Sequence, residues 1–121
     1  METYSSECLF CKIIQGEIPA EKVYEDDNVL AFKDIYPQAK VHILFIPKNG
    51  HVASLNEVSE ADKPILADLQ WAAIRYAKDK ELDQSGYRTV VNCGDEGGQT
   101  VFHLHLHLLA GQQLGAFGAP N

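Results

Sequence analysis

Apolar and polar positions along this chain follow two periods, and each change of period marks an element. Leu9, Phe10, Ile13 and Ile14 have helical spacing and stop before Gly16, a residue suited to the position just past a helix end. After Ile18-Pro19, Lys22–Glu25 and Val29–Lys33 alternate as strands do, and Asp26-Asp27-Asn28 between them reads as a hairpin turn. A third strand is expected over 41–46, closed by Pro47, with a turn at Asn49-Gly50.

The clearest local signal is a long helix. Ser59 is expected to cap it, with Asp62 as a weak capping box and Pro64 within its first turns. Ile65, Leu66, Leu69, Ala72, Ala73 and Tyr76 form one apolar stripe for packing on a sheet. Ser85-Gly86 ends the region, and residues 87–92 read as a fourth strand. The glycine-rich turn Gly94-Asp95-Glu96-Gly97-Gly98 leads to a last strand expected over 100–109. Five strands with one long and one short helix, joined mostly by short turns, predict an α+β fold with an antiparallel sheet.

At 121 residues the chain is expected to form a single domain spanning 1–121, and 45% apolar residues suffice for a core without staples. A net charge of −7 argues against a nucleic-acid groove, which needs a Lys/Arg-rich face. No apolar run is long enough to span a bilayer, and Met1 to Glu7 lacks the pattern of a signal peptide, so a cytoplasmic location without membrane attachment is expected. Three cysteines cannot all pair within one chain. In a reducing compartment, Cys8-x-x-Cys11 reads as half a metal site or, less well, as a redox pair.

The chemistry concentrates in His103-Leu104-His105-Leu106-His107-Leu108-Leu109. On a strand the three imidazoles would share one face, and Leu104, Leu106 and Leu108 would bury on the other. A single histidine on a strand is usually an ordinary core or surface residue, but packing does not select three in strict alternation. Such a row either chelates a metal or holds one ring as a nucleophile or acid–base with its neighbours orienting it. The preceding turn favours the second reading. Gly94, Gly97 and Gly98 let backbone N–H groups converge, and Gln99 and Thr100 add side-chain donors, an anion cradle suited to phosphoryl chemistry.

The stretch from Gly98 to Leu109 resembles the H-φ-H-φ-H-φ-φ signature of the histidine triad (HIT) family. The resemblance extends over nearly the whole chain: Cys8 to Pro19, Glu25 to Ala39, Val41-His42 and Ile46-Pro47-Lys48 are similar to the Hint branch, the histidine triad nucleotide-binding proteins. It implies a purine nucleoside phosphoramidase, which cleaves a purine nucleoside 5′-phosphoramidate to an AMP- or GMP-type monophosphate and an amine, with no catalytic cofactor. By that resemblance His105 is the nucleophile, its ring oriented by the carbonyl of His103. His107 contacts the phosphate, and His42 is the distal member of a proton relay. Asn92, Gly98, Gln99, Thr100 and Val101 hold the phosphate and leaving group, with His105 and His107. Asp34 accepts the ribose hydroxyls, and Leu9, Phe10, Ile13, Phe32 and Ile35 clasp the purine.

The resemblance further implies a homodimer whose sheets join across a two-fold, with the long helix at the interface. Trp71, Ile74 and Tyr76 give that helix more apolar surface than one sheet face needs. It also implies a structural zinc on Cys8, Cys11, His103 and His51, although the Pro47-to-His51 loop is one residue longer than the usual form. Many members carry a tail aromatic that reaches the partner's active site; the tail 114–121 has no Trp, and Phe117 is its aromatic. Two alternatives stand beside the phosphoramidase reading: dinucleoside polyphosphate cleavage and a non-enzymatic nucleotide-sensing module.

Overall fold

The structure, a computed structural model, describes residues 4–118. A five-stranded sheet in the order β1-β2-β3-β5-β4, antiparallel throughout, is built from β1 (Lys22–Glu25), β2 (Val29–Lys33), β3 (Val41–Pro47), β4 (Arg88–Val90) and β5 (Leu106–Ala110). The long helix α2 (Lys63–Asp79) covers one face; the short helix α1 (Leu9–Ile14) lies on the other. A one-turn helix, α3 (Leu82–Ser85), follows α2.

Side-chain alternation on β3 separates two cores. Ile43 and Phe45 join Leu69, Ala72, Ala73, Tyr76, Leu104, Leu106 and Leu108 beneath α2. Leu44 and Ile46 instead pack with Phe10, Cys11, Ile13, Leu30 and Phe32 beneath α1. Covered on both faces, β3 reads as a nearly unbroken apolar run. His42, on the α1 face of β3, is the one polar side chain in that run. The β1–β2 turn is fixed by Asp26, whose carboxylate accepts the N–H groups of Asn28 and Val29 (both 2.8 Å) and the hydroxyl of Tyr24 (2.7 Å).

Several boundaries differ from the sequence expectation. The Ser59–Asp62 pair forms, with Ser59 N–H and hydroxyl both donating to the Asp62 carboxylate, but it caps a 3-10 turn (Glu60–Asp62); Asp62 occupies the N-cap position of α2 without a side-chain capping bond to that helix. Leu66 lies on the outer edge of the apolar stripe and is exposed. Tyr76 is core, its ring 6.0 Å from that of Phe45, so it adds nothing to an outer surface; Trp71 does, at 59% exposed.

The fourth strand is shorter than 87–92, and the last begins at Leu106 instead of Thr100. The ladder with β3 starts at Phe45↔Leu106, and before it the chain leaves the sheet: Leu104 N–H donates to Val52 O at 2.6 Å. Only His107 of the three therefore lies on a strand, yet the alternation persists: Leu104, Leu106 and Leu108 bury beneath α2, while His103 and His105 lie against Phe10 and His107 pairs with Leu44 on the α1 side.

Candidate active site

The departure from strand geometry gives each imidazole a separate environment. His103, with no exposed surface, lies beneath α1. Its Nε2–H donates to Pro47 O at 3.2 Å, which leaves Nδ1 with a lone pair. Its backbone carbonyl accepts the Nδ1–H of His105 at 2.7 Å, so the lone pair of His105 is on Nε2. Phe10 meets the His105 ring edge-to-face at 5.1 Å, and His107 lies 4.9 Å away on the other side. Burial holds all three below the usual histidine range, His103 and His107 at about 4, so each ring is neutral at pH 7. A neutral imidazole with a fixed tautomer and a free Nε2 is a competent nucleophile.

His107 is joined on its far side to His42, Nδ1 to Nε2 at 2.9 Å. Pairing Leu44↔His107 across β3 and β5 puts His42 on the same sheet face, one diagonal step away. Asp34, just past β2, brings Oδ2 to 3.4 Å from His42 Nε2, while its Oδ1 accepts Tyr36 N–H at 2.8 Å. Asp34 thus adjoins the histidine cluster.

On the opposite side, His103 Nδ1 faces Cys8 Sγ (3.2 Å), Cys11 Sγ (3.5 Å) and His51 Nδ1 (3.3 Å), and Cys11 Sγ lies 3.4 Å from His51 Nδ1. Gly50 has a positive φ of 126°, and the next residue, His51, reaches the cluster. A tetrahedral zinc with bonds of about 2.3 Å to sulfur and about 2.05 Å to nitrogen requires S···N edges near ~3.5 Å and N···N edges near ~3.3 Å. The three S···N separations and the one N···N separation above lie within about 0.3 Å of these values, and all four donor atoms lie within 4.8 Å of one another, so the donor set fits zinc. Burial pushes the Cys11 thiol up to about 11, a cost that a bound cation offsets.

The glycine turn is more self-contained than its sequence suggests. Gly98 N–H donates to Asp95 O and Gln99 N–H to Gly94 O, both at 3.0 Å. The buried Gln99 side chain donates to Ala53 O and Val101 O and accepts Gly94 N–H. Gln99 therefore braces the loop from inside, and neither it nor the Gly98 N–H is available to a phosphate. Among the described residues the N–H groups of Thr100 and Val101 have no such partner, and these remain for an anion. Asn92 lies against Gly98, its Nδ2 4.0 Å from where a Cβ would stand. A cleft of about 370 Å³ lies beside the turn, lined by Thr100, Val101 and Phe102 together with Cys8, Leu9 and His51; Asn92, Gly98, His105 and His107 do not line it.

The expected purine slot divides in two. Phe10, Ile13 and Phe32 are buried core, with Phe10 and Phe32 edge-to-face at 5.4 Å, whereas Leu9 and Ile35 are exposed. Only their exposed edges and the buried rings' margins can meet a ligand. Phe117 is exposed, with the Arg88 guanidinium 5.5 Å from its ring; residues 119–121 of the tail lie outside the described residues. Backbone groups were invisible to residue-type reasoning: Pro47 O, which sets the His103 tautomer, and the Gln38 N–H, which donates to His42 Nδ1 at 3.0 Å. Side-chain identity carries no signal for either.

A five-stranded antiparallel sheet with one long helix, presenting a nucleophile-ready middle histidine, is the arrangement of a histidine triad hydrolase, and the chain belongs to the histidine triad family. The family model described as "Scavenger mRNA decapping enzyme C-term binding" matches residues 7–118. The chain is 43% identical to the purine nucleoside phosphoramidase of Escherichia coli (strain K12) over 111 residues, 92% of each protein. Among solved structures it is similar to a histidine triad protein from Clostridium difficile, at TM-score 0.91 and 46% identity, covering 95% of this chain and 99% of that one. It is also similar to a HIT family hydrolase from Legionella pneumophila, at TM-score 0.88 and 50% identity, covering 93% and 100%.

Proposed function

We propose that this histidine triad hydrolase cleaves purine nucleoside 5′-phosphoramidates to the nucleoside monophosphate and a free amine. The carrying observation is the 2.7 Å hydrogen bond from His105 Nδ1–H to His103 O, which leaves the Nε2 lone pair for attack. That lone pair forms a bond to the α-phosphorus, and the phosphorus–nitrogen bond to the amine breaks. Its electron pair stays on the departing nitrogen, which takes a proton from solvent. Water then attacks phosphorus, the phosphorus–Nε2 bond breaks with its electron pair returning to His105, and the water's proton passes to solvent, which releases the monophosphate and restores neutral His105. The N–H groups of Thr100 and Val101 and the Nε2–H of His107 serve the negative phosphoryl oxygens. Asp34 accepts the ribose hydroxyls. The 43% identity to the E. coli phosphoramidase supports the choice of substrate.

A panel comparing adenosine 5′-phosphoramidates with dinucleoside polyphosphates tests the reading. Phosphoramidate turnover with a trapped nucleotidyl adduct on His105 supports it. Preferential polyphosphate cleavage, or monophosphate binding with no turnover of either class, rejects it.

We further propose a structural zinc held by Cys8, Cys11, His51 and His103, in a reducing cytoplasmic setting that keeps both thiols unpaired. Bound there, it ties the start of α1 to the residue whose carbonyl orients the nucleophile. The exposed Trp71 and Leu66 on α2 support a homodimer through that helix, and light scattering that reports 13.4 kDa at micromolar concentration would reject it.

A further inference from the structure

His42 has the hydrogen-bond geometry of a fixed donor. Its ring is buried, with Nδ1 accepting Gln38 N–H at 3.0 Å. A backbone amide carries its proton permanently, so His42 Nδ1 holds the lone pair and the ring proton is on Nε2. That Nε2 stands 2.9 Å from His107 Nδ1 and 3.4 Å from Asp34 Oδ2. With His42 donating, His107 Nδ1 must accept, and the proton of neutral His107 is on Nε2, on a ring 4.9 Å from that of His105.

A proton relay through His42 requires this ring to surrender its Nε2 proton while gaining one at Nδ1. Protonation of Nδ1 would force two hydrogens into the 3.0 Å gap to Gln38 N. Surrender without replacement would leave an imidazolate beside the Asp34 carboxylate, which is unfavourable in a buried site.

We infer that His42 is a positioning residue that locks His107 as an Nε2–H hydrogen-bond donor and does not conduct a proton during the reaction. The lock rests, for its kinetic half, on the nucleotidyl-transfer reading above. Its effect is to keep the Nε2–H of His107 aimed at phosphoryl charge through every turnover, with the other tautomer excluded.

Two substitutions separate a lock from a relay. His42→Gln retains an N–H donor in reach of His107 Nδ1 but has no means of shuttling a proton; His42→Leu removes the donor at similar bulk. The lock requires His42→Gln to keep kcat for an adenosine phosphoramidate within about tenfold of wild type while His42→Leu loses about a hundredfold or more. Nitrogen-15 spectra of histidine-labelled free protein at pH 7 test the same point without substrate. They should show Nε2-protonated rings for His42 and His107 in the wild type, and a tautomer mixture for His107 in His42→Leu. His42→Gln as slow as His42→Leu, or a wild-type spectrum with His107 protonated at Nδ1, overturns the lock. If the wild-type protein turns over no purine nucleoside phosphoramidate, the substrate reading falls while the spectra still decide the tautomer.

Discussion

His105 and His103 are coupled through one hydrogen bond, Nδ1–H to carbonyl at 2.7 Å, while the ring of His103 turns away to face Cys8, Cys11 and His51. The first histidine thus presents its backbone carbonyl to His105 and its side chain to a donor cluster. In the proposed mechanism, placement of the nucleophile rests on a residue whose own ring points elsewhere.

Replacement of His105 by Asn should abolish turnover, by at least about a thousandfold in kcat, because no other lone pair is aligned for attack. Monophosphate affinity should change only a few-fold, since Asp34 and the Thr100–Val101 amides are untouched. Single-turnover kinetics together with titration calorimetry measures both. Residual activity above a few per cent would mean that the nucleophile is elsewhere.

Cys11→Ser should reduce bound zinc from about one equivalent per chain to below about a tenth. With zinc at a hundred to a thousand times its dissociation constant, the lost binding destabilises the fold by about 3–4 kcal/mol. Elemental analysis and denaturant unfolding check the two parts. Equal metal content in wild type and variant would remove the cysteine pair from any ligand role.

The pH dependence of stability follows from His107. Burial is the main cause of its depression from 6.5 to about 4, with the neighbouring His105 and His42 adding to it. Between those values the unfolded chain binds a proton that the folded one refuses. Its contribution is therefore complete above the unfolded value and is lost as pH falls through the folded one. Wild-type protein should lose more unfolding free energy between pH 7 and pH 5 than His107→Gln, which has no such titration. Parallel urea-unfolding curves for the two would show that His107 titrates normally.

Gly97→Ala should damage activity through the backbone alone. A Cβ at Gly97 would stand 2.4 Å from Cys93 O, so the turn that presents Thr100 and Val101 has to move. A drop in kcat/KM of about tenfold or more is expected. Gly115→Ala, where a Cβ meets nothing within 4 Å, is the control and should be silent. Equal kinetics in the two variants would show that the turn geometry does not govern anion binding.

Much of this was legible in the chain before any coordinates. The apolar stripe from Ile65 to Tyr76 marked α2, Asp26 to Asn28 marked the hairpin, and the leucines alternating with the triad marked the face beneath α2. Side-chain period predicts these because burial on one face is decided by local geometry. The alternating pattern runs back through His103 to Thr100, but the ladder ends at Phe45↔Leu106, because the chain before Leu106 leaves the sheet and Leu104 N–H turns to Val52 O. Residue type likewise assigned Gln99 to the ligand, because a polar residue in a glycine turn looks solvent-facing until its bonds to Ala53 O and Val101 O are seen.

Residue order is enough to supply the groups: three imidazoles at alternate positions, a pair of thiols, a carboxylate after β2 and a glycine turn. Where each group's proton and lone pair reside depends on the folded chain. The tautomers of His103, His105 and His42 are set by Pro47 O, His103 O and Gln38 N–H, backbone atoms that every residue type carries and no side-chain pattern reveals. The meeting of Cys8 and Cys11 with His51 and His103 joins distant stretches of chain, and it depends on α1 settling over the α1-side core formed by Phe10, Leu30, Phe32 and Leu44. Hydrophobic burial brought those segments together, and the hydrogen bonds left available in the buried site then fixed where each proton resides.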